Sequence, residues 1–294
     1  MSESLVSTSA VSKRYGDVVA LDRVDLAVPQ GSVYGLIGPN GAGKTTMLGI
    51  LAGLRKATAG SVEVETASVG VLPDTPQFDR WLTGREVVDL SRCLVDDARP
   101  ESKVDEVLEV AGLTADAHRQ VRGYSRGMLQ RLGLASVVVN EPDLLLLDEP
   151  AAALDPGGRR EVLDLISALR GTSTVLFSSH ILDDVQEVCD EIGILTRGEM
   201  GYQGSLDGLL SRYVGTRYLV RIRHGHDDII RVLEAEQWVK SVSIGTNRDI
   251  AIEITSQSEA ERRLVGLLAR SELPVVSVVP DRTSLEQVFL EVTR

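Results

Sequence analysis

The feature that most constrains the fold is a glycine-rich loop at residues 38–46, Gly-Pro-Asn-Gly-Ala-Gly-Lys-Thr-Thr. It fills every fixed position of the phosphate-loop pattern G-x-x-x-x-G-K-[ST]. Residues 32–37 before it have the composition of a short buried strand, and residues 46–51 after it that of a helix start. Such a loop directs backbone N–H groups and the positive end of a helix dipole at one anion. The sequence therefore predicts a polyphosphate site in which Lys44 reaches the outer phosphates and the Thr45 hydroxyl binds Mg²⁺. The predicted phosphate-binding residues are Gly38, Pro39, Asn40, Gly41, Ala42, Gly43, Lys44, Thr45 and Thr46.

Two acidic residues and a histidine follow two other apolar runs. Leu144–Leu147 is typical of a central strand buried on both faces, and Asp148 and Glu149 stand at its carboxyl end, where ligands bind in open α/β sheets. Asp148 is suited to hold Mg²⁺ through water, and Glu149 to orient or deprotonate an attacking water. Residues 174–179 predict a second core strand that ends at His180, which we expect to reach the same sheet edge and contact the terminal phosphate. A helix cap and a structural histidine are the alternatives, and the phosphate loop favours the catalytic interpretation.

Tyr15 lies in a turn near the start of the chain. Residues 6–11, 18–21 and 24–28 alternate between apolar and polar side chains and predict half-buried strands around it. The tyrosine is either an ordinary turn aromatic or a ring that stacks on a nucleobase. A phosphate loop in the same chain favours stacking.

Charge and cysteine usage restrict the possible partners. The net charge of −12 disfavours general binding to nucleic acid or to anionic lipid. Cys93 and Cys189 lie far apart without metal-like spacing, which favours free thiols in a reducing cytosol. The first residues lack a signal-peptide pattern, and no apolar run approaches the roughly 18 residues that span a bilayer. A role at a membrane would therefore need a partner protein.

The pattern of elements predicts two domains, at residues 1–213 and 214–294. The first is an α/β phosphate-loop domain with a mixed β-sheet core, interrupted at about 76–139 by a helical insertion with helices at 84–95, 101–112 and 126–139. The second has the order βαββαβ, which suggests a small ferredoxin-like α+β domain that ends in a helix at 284–292.

With these residues in place, the chain resembles the ATP-binding cassette (ABC) transporter ATPases over about residues 6–213. Several motifs of that family occur here in the family's order. They are the base-stacking aromatic Tyr15, the Walker A loop 38–46, the signature motif 124–131 with Ser125 and Gly127, the Walker B strand 144–149 with the catalytic Glu149, the D-loop Ala153-Leu154-Asp155, and the switch histidine His180. The C-terminal portion resembles that of cassette subunits in multidrug, antibiotic and polysaccharide exporters.

The resemblance implies an ATP-binding and ATP-hydrolysing subunit that acts on MgATP at the cytoplasmic face of the cell membrane. Its partners would be a separate integral-membrane permease, contacted around residues 74–95, and a second cassette. In the family, the signature motif faces the ATP of the opposite subunit, so Ser125 and Gly127 are expected to complete the partner's nucleotide site. By the same resemblance, Asp155 of the D-loop is expected to be a nucleotide-binding residue.

The sequence departs from the family pattern in two places. In the signature motif, Arg126 replaces the first of the two usual glycines and Met128 replaces the usual glutamine, while Ser125 and Gly127 are kept. Asp74 stands where the family usually has a glutamine that touches Mg²⁺. A carboxylate can also ligate Mg²⁺, but an ionised one cannot donate a hydrogen bond, so the hydrolysis rate is expected to differ from that of a typical cassette.

Other functions of the same fold remain as alternatives. Translation factors of this fold carry two cassettes in one chain, and DNA-repair members carry a long coiled coil between loop and signature; this sequence has neither. A regulatory cassette that binds ATP without turnover is disfavoured by Glu149 and His180. An importer cassette is disfavoured by the altered signature motif and the C-terminal portion.

Overall fold

The computed structural model describes residues 4–95, 99–152, 154–211, 217–244, 249–271, 273–280 and 285–292. The chain divides into two compact units, one that ends at Leu206 and one that begins at Asp207. The predicted domain boundary at 213–214, Ala153 of the D-loop and the start of the predicted helix 284–292 fall outside the described ranges.

A six-stranded sheet forms the centre of the first unit as described. In spatial order its strands are β5 (Val69–Leu72), β6 (Leu144–Leu147), β7 (Thr174–Ser179), β3 (Val33–Ile37), β8 (Glu191–Thr196) and β9 (Glu199–Ser205). Neighbouring strands are parallel except for β9, which runs antiparallel to β8. Every residue of β3, β6 and β7 is buried, as their continuous apolar runs predict. The mixed α/β core is therefore confirmed.

A smaller antiparallel sheet has the order β2-β1-β4, with β1 at Ser4–Tyr15, β2 at Val18–Pro29 and β4 at Ala59–Val64. The prediction of separate strands at 18–21 and 24–28 is wrong, because both lie within β2. The pairing with β1 is irregular in between, and Ala10 and Arg23 have φ of 47° and 49°. The bulge is held by the Ala10 N–H, which donates to Asp25 Oδ1 at 2.6 Å. A bulge interrupts the period-two pattern without ending the strand, so the sequence looks broken where the strand is not.

Helices follow several strands of the central sheet and also form the insertion. Helix α1 (Lys44–Leu51) follows the glycine loop, and α5 (Pro156–Ala168) and α6 (Leu182–Val188) follow β6 and β7. The insertion contains α2 (Gly84–Val95), α3 (Ser102–Val110) and α4 (Arg126–Val138), with single 3₁₀ turns at 114–116 and 121–123. The predicted helix 84–95 is confirmed, and the other two are one to three residues shorter than predicted. Apolar side chains of the three helices form a separate core, which includes Val88, Val104, Leu108 and Leu132.

In the second unit, a four-stranded antiparallel sheet has the order β11-β12-β10-β13 among the described residues. Its elements, after a short α7 (Leu206–Ser211), are β10 (Arg217–Ile222), α8 (His226–Glu234), β11 (Val239–Ile244), β12 (Ile250–Ile254), α9 (Gln257–Arg270), β13 (Val275–Pro280) and α10 (Leu285–Val292). This order and sheet agree with the predicted ferredoxin-like arrangement. Within the described ranges, no helix is long and apolar enough to cross a membrane.

Candidate functional site

The glycine loop brings a buried lysine back over its own backbone. Helix α1 begins at Lys44, after Gly43 with φ of 109°. A Cβ at Gly43 would lie 2.5 Å from the carbonyl oxygen of Ala20, so both the backbone angle and the close approach require glycine. The Lys44 Nζ donates to the carbonyl oxygens of Gly38 at 2.7 Å and of Pro39 at 3.3 Å. The ammonium is thereby fixed at the N-terminus of α1, where the helix dipole also favours an anion.

The carboxyl end of β6 carries the two acids, and a serine of β7 connects them. The buried Ser178 hydroxyl donates to Asp148 Oδ1 at 2.6 Å and accepts from the Glu149 N–H at 2.8 Å. The Asp148 N–H donates to the carbonyl oxygen of Leu72 at the end of β5. Glu149 has φ of 47°, a conformation that non-glycine residues seldom adopt and that concentrates at functional sites.

Glu149 is the point at which the three predicted catalytic and phosphate-binding groups meet. Its Oε1 lies 3.2 Å from the Lys44 Nζ, and its Oε2 lies 2.8 Å from the Nδ1 of His180. The side chain of Glu149 is 15 % exposed and that of Lys44 is 6 % exposed, whereas His180 is 43 % exposed. A carboxylate placed between an ammonium and an imidazole can accept or pass on a proton as a general base. The neighbouring ammonium can bind an anion.

A cavity of about 370 Å³ contains Lys44 and Glu149, whereas His180 is not among its lining residues. Its lining residues are Val18, Val19, Ala20, Asn40, Gly41, Ala42, Gly43, Lys44, Thr45, Thr46, Asp74, Asp148 and Glu149. The predicted metal ligands Thr45, Asp148 and Asp74 therefore share one cavity with the glycine loop. A larger cavity of about 510 Å³ lies between α3, α4 and α5, but its lining is mostly apolar and includes none of the predicted site residues.

Tyr15 lies at the end of β1, and basic side chains surround it. The Arg55 Nη1 donates to the Tyr15 hydroxyl oxygen at 2.7 Å, and the Lys13 Nζ lies 5.0 Å from the centre of the ring. The hydrogen bond from Arg55 is the main cause of a lowered pKa of the phenol. The ring is 43 % exposed and does not line the cavity, although the nearby Val18 and Val19 do.

The predicted contacts to a second cassette lie elsewhere on the chain. Ser125 caps α4 and accepts from the N–H of Met128 at 3.2 Å, and a Cβ at Gly127 would meet no atom within 4 Å. Asp155 stands at the N-cap position of α5, but its side chain accepts no hydrogen bond from the N–H groups of the first turn. None of these three residues is among those that line the cavity.

Sequence reasoning missed two contributors to the site. Ser178 was assigned only to a core strand, although a hydroxyl inside a fully buried apolar run requires a hydrogen-bond partner and so could have been flagged. Arg55 gave no signal, because a basic residue after a helix is ordinary on a protein surface. Within the described part of the chain, no three His, Cys, Asp or Glu side chains form a metal-binding group by themselves.

Comparison with known proteins shows to which family the chain is similar. The profile of the family described as ABC transporter matches residues 21–152. An uncharacterised ABC transporter ATP-binding protein of Bacillus subtilis is 34 % identical over 296 residues, which cover 98 % of this chain and 99 % of the relative. The daunorubicin resistance ATP-binding protein of Streptomyces coeruleorubidus is 33 % identical over 308 residues, which cover 100 % of this chain and 97 % of the relative. Among solved structures, a dimeric post-hydrolysis state of an ATP-binding cassette bound to ADP and Pi is 25 % identical with a TM-score of 0.61, over 68 % of this chain and 98 % of that chain.

The mixed, mainly parallel sheet, the glycine loop and the acids at the strand end define a phosphate-loop nucleoside triphosphatase of the α/β class. With relatives similar over nearly its whole length, the chain belongs to the ABC transporter ATP-binding proteins. It is accordingly an ATP-binding and ATP-hydrolysing subunit of a transporter.

Proposed function

We propose that the cavity binds the polyphosphate of MgATP and that Glu149 and His180 carry out its hydrolysis, with the released energy used by a separate membrane permease for export. The single observation that carries this proposal is the convergence of Lys44 and His180 on Glu149, whose two carboxylate oxygens lie 3.2 Å from the Lys44 Nζ and 2.8 Å from the His180 Nδ1. Residues of three separate elements meet there, which a chance glycine turn does not explain.

The glycine loop would hold the phosphates through its backbone N–H groups. Lys44 already has its ammonium inside the loop, so it would place a positive charge beside the outer phosphates without a large rearrangement. Tyr15, at the end of β1, would stack on the adenine, with Arg55 holding its hydroxyl.

Three oxygen-bearing side chains fit a magnesium ion in this cavity. Thr45, Asp148 and Asp74 all line it, and the Ser178 hydroxyl orients Asp148 by donating to its Oδ1. Mg²⁺ prefers oxygen ligands and usually takes one or two carboxylates together with phosphates and water. The ion would supply neutralisation of the phosphate charge during transfer.

Glu149 would act on the attacking water, and His180 would act on the terminal phosphate. The carboxylate of Glu149 is held by its contact with His180 and would accept a proton from, or orient, the attacking water. His180, whose side chain is 43 % exposed, would donate a hydrogen bond to the terminal phosphate.

A second copy of the chain would complete the site. Ser125 and Gly127 begin α4 with open space around Gly127, so a phosphate could approach the N–H groups of that helix from outside. These residues and Asp155 do not line the chain's own cavity, which supports the proposal that they serve the nucleotide of a partner cassette.

The permease would bind the surface around residues 74–95, on the cytoplasmic face of the membrane. Trp81, Leu90 and Leu94 are 66 %, 51 % and 77 % exposed there, and exposed apolar side chains of this size are typical of a protein interface. Export is supported by the daunorubicin resistance protein, which is similar along its whole length including the second unit. No contact with nucleic acid is proposed.

Replacement of Lys44 directly tests whether the glycine loop binds the phosphates of ATP. Lys44→Ala is expected to abolish ATP binding or turnover, because the loop loses the charge that faces the outer phosphates. ATP binding would be measured by isothermal titration calorimetry and turnover by phosphate release. Lys103→Ala, at an ion pair of α3 outside the cavity, is the control and should keep both. Unchanged ATP affinity and turnover in Lys44→Ala would contradict the proposed site.

A further inference from the structure

Two neighbouring helices each follow a residue of the proposed site. Helix α5 begins directly after Asp155, and its Arg159 N–H donates to the Asp155 carbonyl oxygen at 2.9 Å. Helix α6 begins two residues after His180, and the Ile181 N–H between them donates to the hydroxyl of Ser179 at 2.9 Å. The placement of α5 against α6 therefore determines where the Asp155 turn lies relative to His180.

A buried ion pair joins these two helices. The Nε of Arg159 donates to Asp184 Oδ1, and the Asp184 side chain is only 3 % exposed whereas that of Arg159 is 30 % exposed. Burial raises the pKa of Asp184, the nearby Glu187 and Asp183 raise it further, and Arg159 lowers it. Asp184 therefore lies in an environment that disfavours its charged form, apart from the contact with Arg159.

Such a pair contributes little to stability when compared with an apolar contact of similar volume. Replacement of buried ion pairs by packed apolar residues is often neutral or stabilising, while removal of one partner is costly. The best-attested use of a buried ion pair is to fix the register of two elements. A geometric role accounts for the position of this pair between the helices that carry Asp155 and His180.

We propose that Arg159 and Asp184 are positioning residues, which fix α6 against α5 so that the His180 ring is held on Glu149. This inference rests on the proposed roles of Glu149 and His180. It adds residues that touch neither nucleotide nor the reacting water, and it assigns them to the chemical step and not to ATP binding, because the cavity that holds the phosphates lies on other elements.

The same two helices offer a matched control. Arg160 and Glu187 form a second ion pair between α5 and α6, at 3.5 Å, with side chains 69 % and 44 % exposed. Exposed pairs restrict geometry little and are screened by solvent. Glu187→Gln therefore removes a charge pair from the same interface without the proposed positioning effect.

The test compares kcat, KM for ATP and Tm for three variants of the full chain, with kcat measured at a temperature at which each variant is folded. Asp184→Asn should lower kcat by roughly 10- to 100-fold, as expected for a small displacement of reacting groups, and leave KM within about twofold. Glu187→Gln should leave kcat, KM and Tm unchanged. The double variant Arg159→Met/Asp184→Leu should regain the Tm of the wild type and keep the low kcat, because packing is restored but register is not.

A purely structural role predicts another pattern. If kcat of the double variant recovers together with Tm, or if Asp184→Asn has the kcat of the wild type, the positioning role is wrong. Glu149→Gln, measured in the same assay, separates this failure from that of the proposed function. If Glu149→Gln is inactive while Asp184→Asn is normal, only the positioning role fails; if Glu149→Gln hydrolyses ATP like the wild type, the proposed chemistry itself fails.

Discussion

At the scale of single residues, the Ser178 hydroxyl connects the two acids of the site. It is fully buried, donates to Asp148 and accepts from the backbone of Glu149. A buried hydroxyl that uses both its donor and an acceptor position holds its neighbours in one arrangement. We infer that the positive φ of Glu149 persists because this contact and the strand end fix it from both sides.

Removal of that hydroxyl should therefore affect both stability and turnover. Ser178→Ala leaves the buried Asp148 carboxylate without a donor, which should cost about 1–3 kcal/mol in the free energy of unfolding. It should also lower kcat by roughly 10-fold or more, because Glu149 loses its backbone anchor. Urea unfolding and a phosphate-release assay measure the two effects. Ser136→Ala, at a hydroxyl bonded to the Gly133 carbonyl within α4, is the control with no expected change in kcat. Wild-type turnover in Ser178→Ala would show that the anchor has no catalytic importance.

At the scale of elements, strong local patterns could be predicted from sequence and weak ones could not. The glycine loop, the leucine run of β6 and the apolar run of β7 each carry enough signal to place the strands and their carboxyl ends. β9 was not predicted, because it is an edge strand with alternating exposed and half-buried residues and two glycines. β8 was also missed, because Gly193 interrupts its short apolar run. The contact between Glu149 and His180 depends on pairing of β6 with β7, which local pattern indicates but does not fix.

Helix α2 begins with a reciprocal cap that has a pH signature. The N–H and the hydroxyl of Thr83 both donate to Glu86 Oε2, at 2.7 and 2.8 Å, and the Glu86 N–H donates back to the Thr83 hydroxyl. These bonds, first the backbone one, lower the pKa of Glu86. A carboxyl whose pKa is lower in the folded state contributes stability above its ordinary pKa and loses it as the pH falls through the lowered value.

Glu86→Gln should therefore change the acid sensitivity of the fold. Glutamine can still accept a hydrogen bond but does not titrate, so the urea midpoint of the variant should fall less than that of the wild type between about pH 6 and about pH 3. Glu109→Gln, at an exposed glutamate of α3, is expected to behave like the wild type. If the urea midpoint of Glu86→Gln falls with pH as much as that of the wild type, the cap does not contribute a pH-dependent part of the stability.

At the scale of the whole molecule, part of the predicted site is separate from the rest. The order of motifs along the sequence indicates the resemblance to ABC cassettes. Of the predicted site residues, however, one chain brings close together those of the glycine loop, the two acids Asp148 and Glu149, and His180. Ser125 and Gly127 lie outside the cavity, and their expected partner is another copy. The function of these residues cannot be derived from the pattern of one chain, because the expected contacts with nucleotide are made between two molecules.

A charge at Gly127 should prevent closure of two chains on ATP. Gly127 has open space for a side chain, so Gly127→Asp should fold normally, and its carboxylate would repel a phosphate placed there. In a Glu149→Gln background with MgATP, light scattering should show a dimer, and addition of Gly127→Asp should return the mass to that of a monomer with ATP still bound. Gly266→Asp on α9, also in open space, is the matched charge control and should remain dimeric. A dimer that persists with Gly127→Asp would contradict the assignment of the signature residues.

The central claim is that Glu149, held between Lys44 and His180, carries the hydrolysis of ATP. The most direct measurement is phosphate release from saturating MgATP by purified wild type and Glu149→Gln, with bound nucleotide quantified in parallel. The account predicts that release falls by at least roughly 100-fold while ATP stays bound, because the base is lost and the phosphate cradle is intact. Release by Glu149→Gln at the rate of the wild type would contradict it.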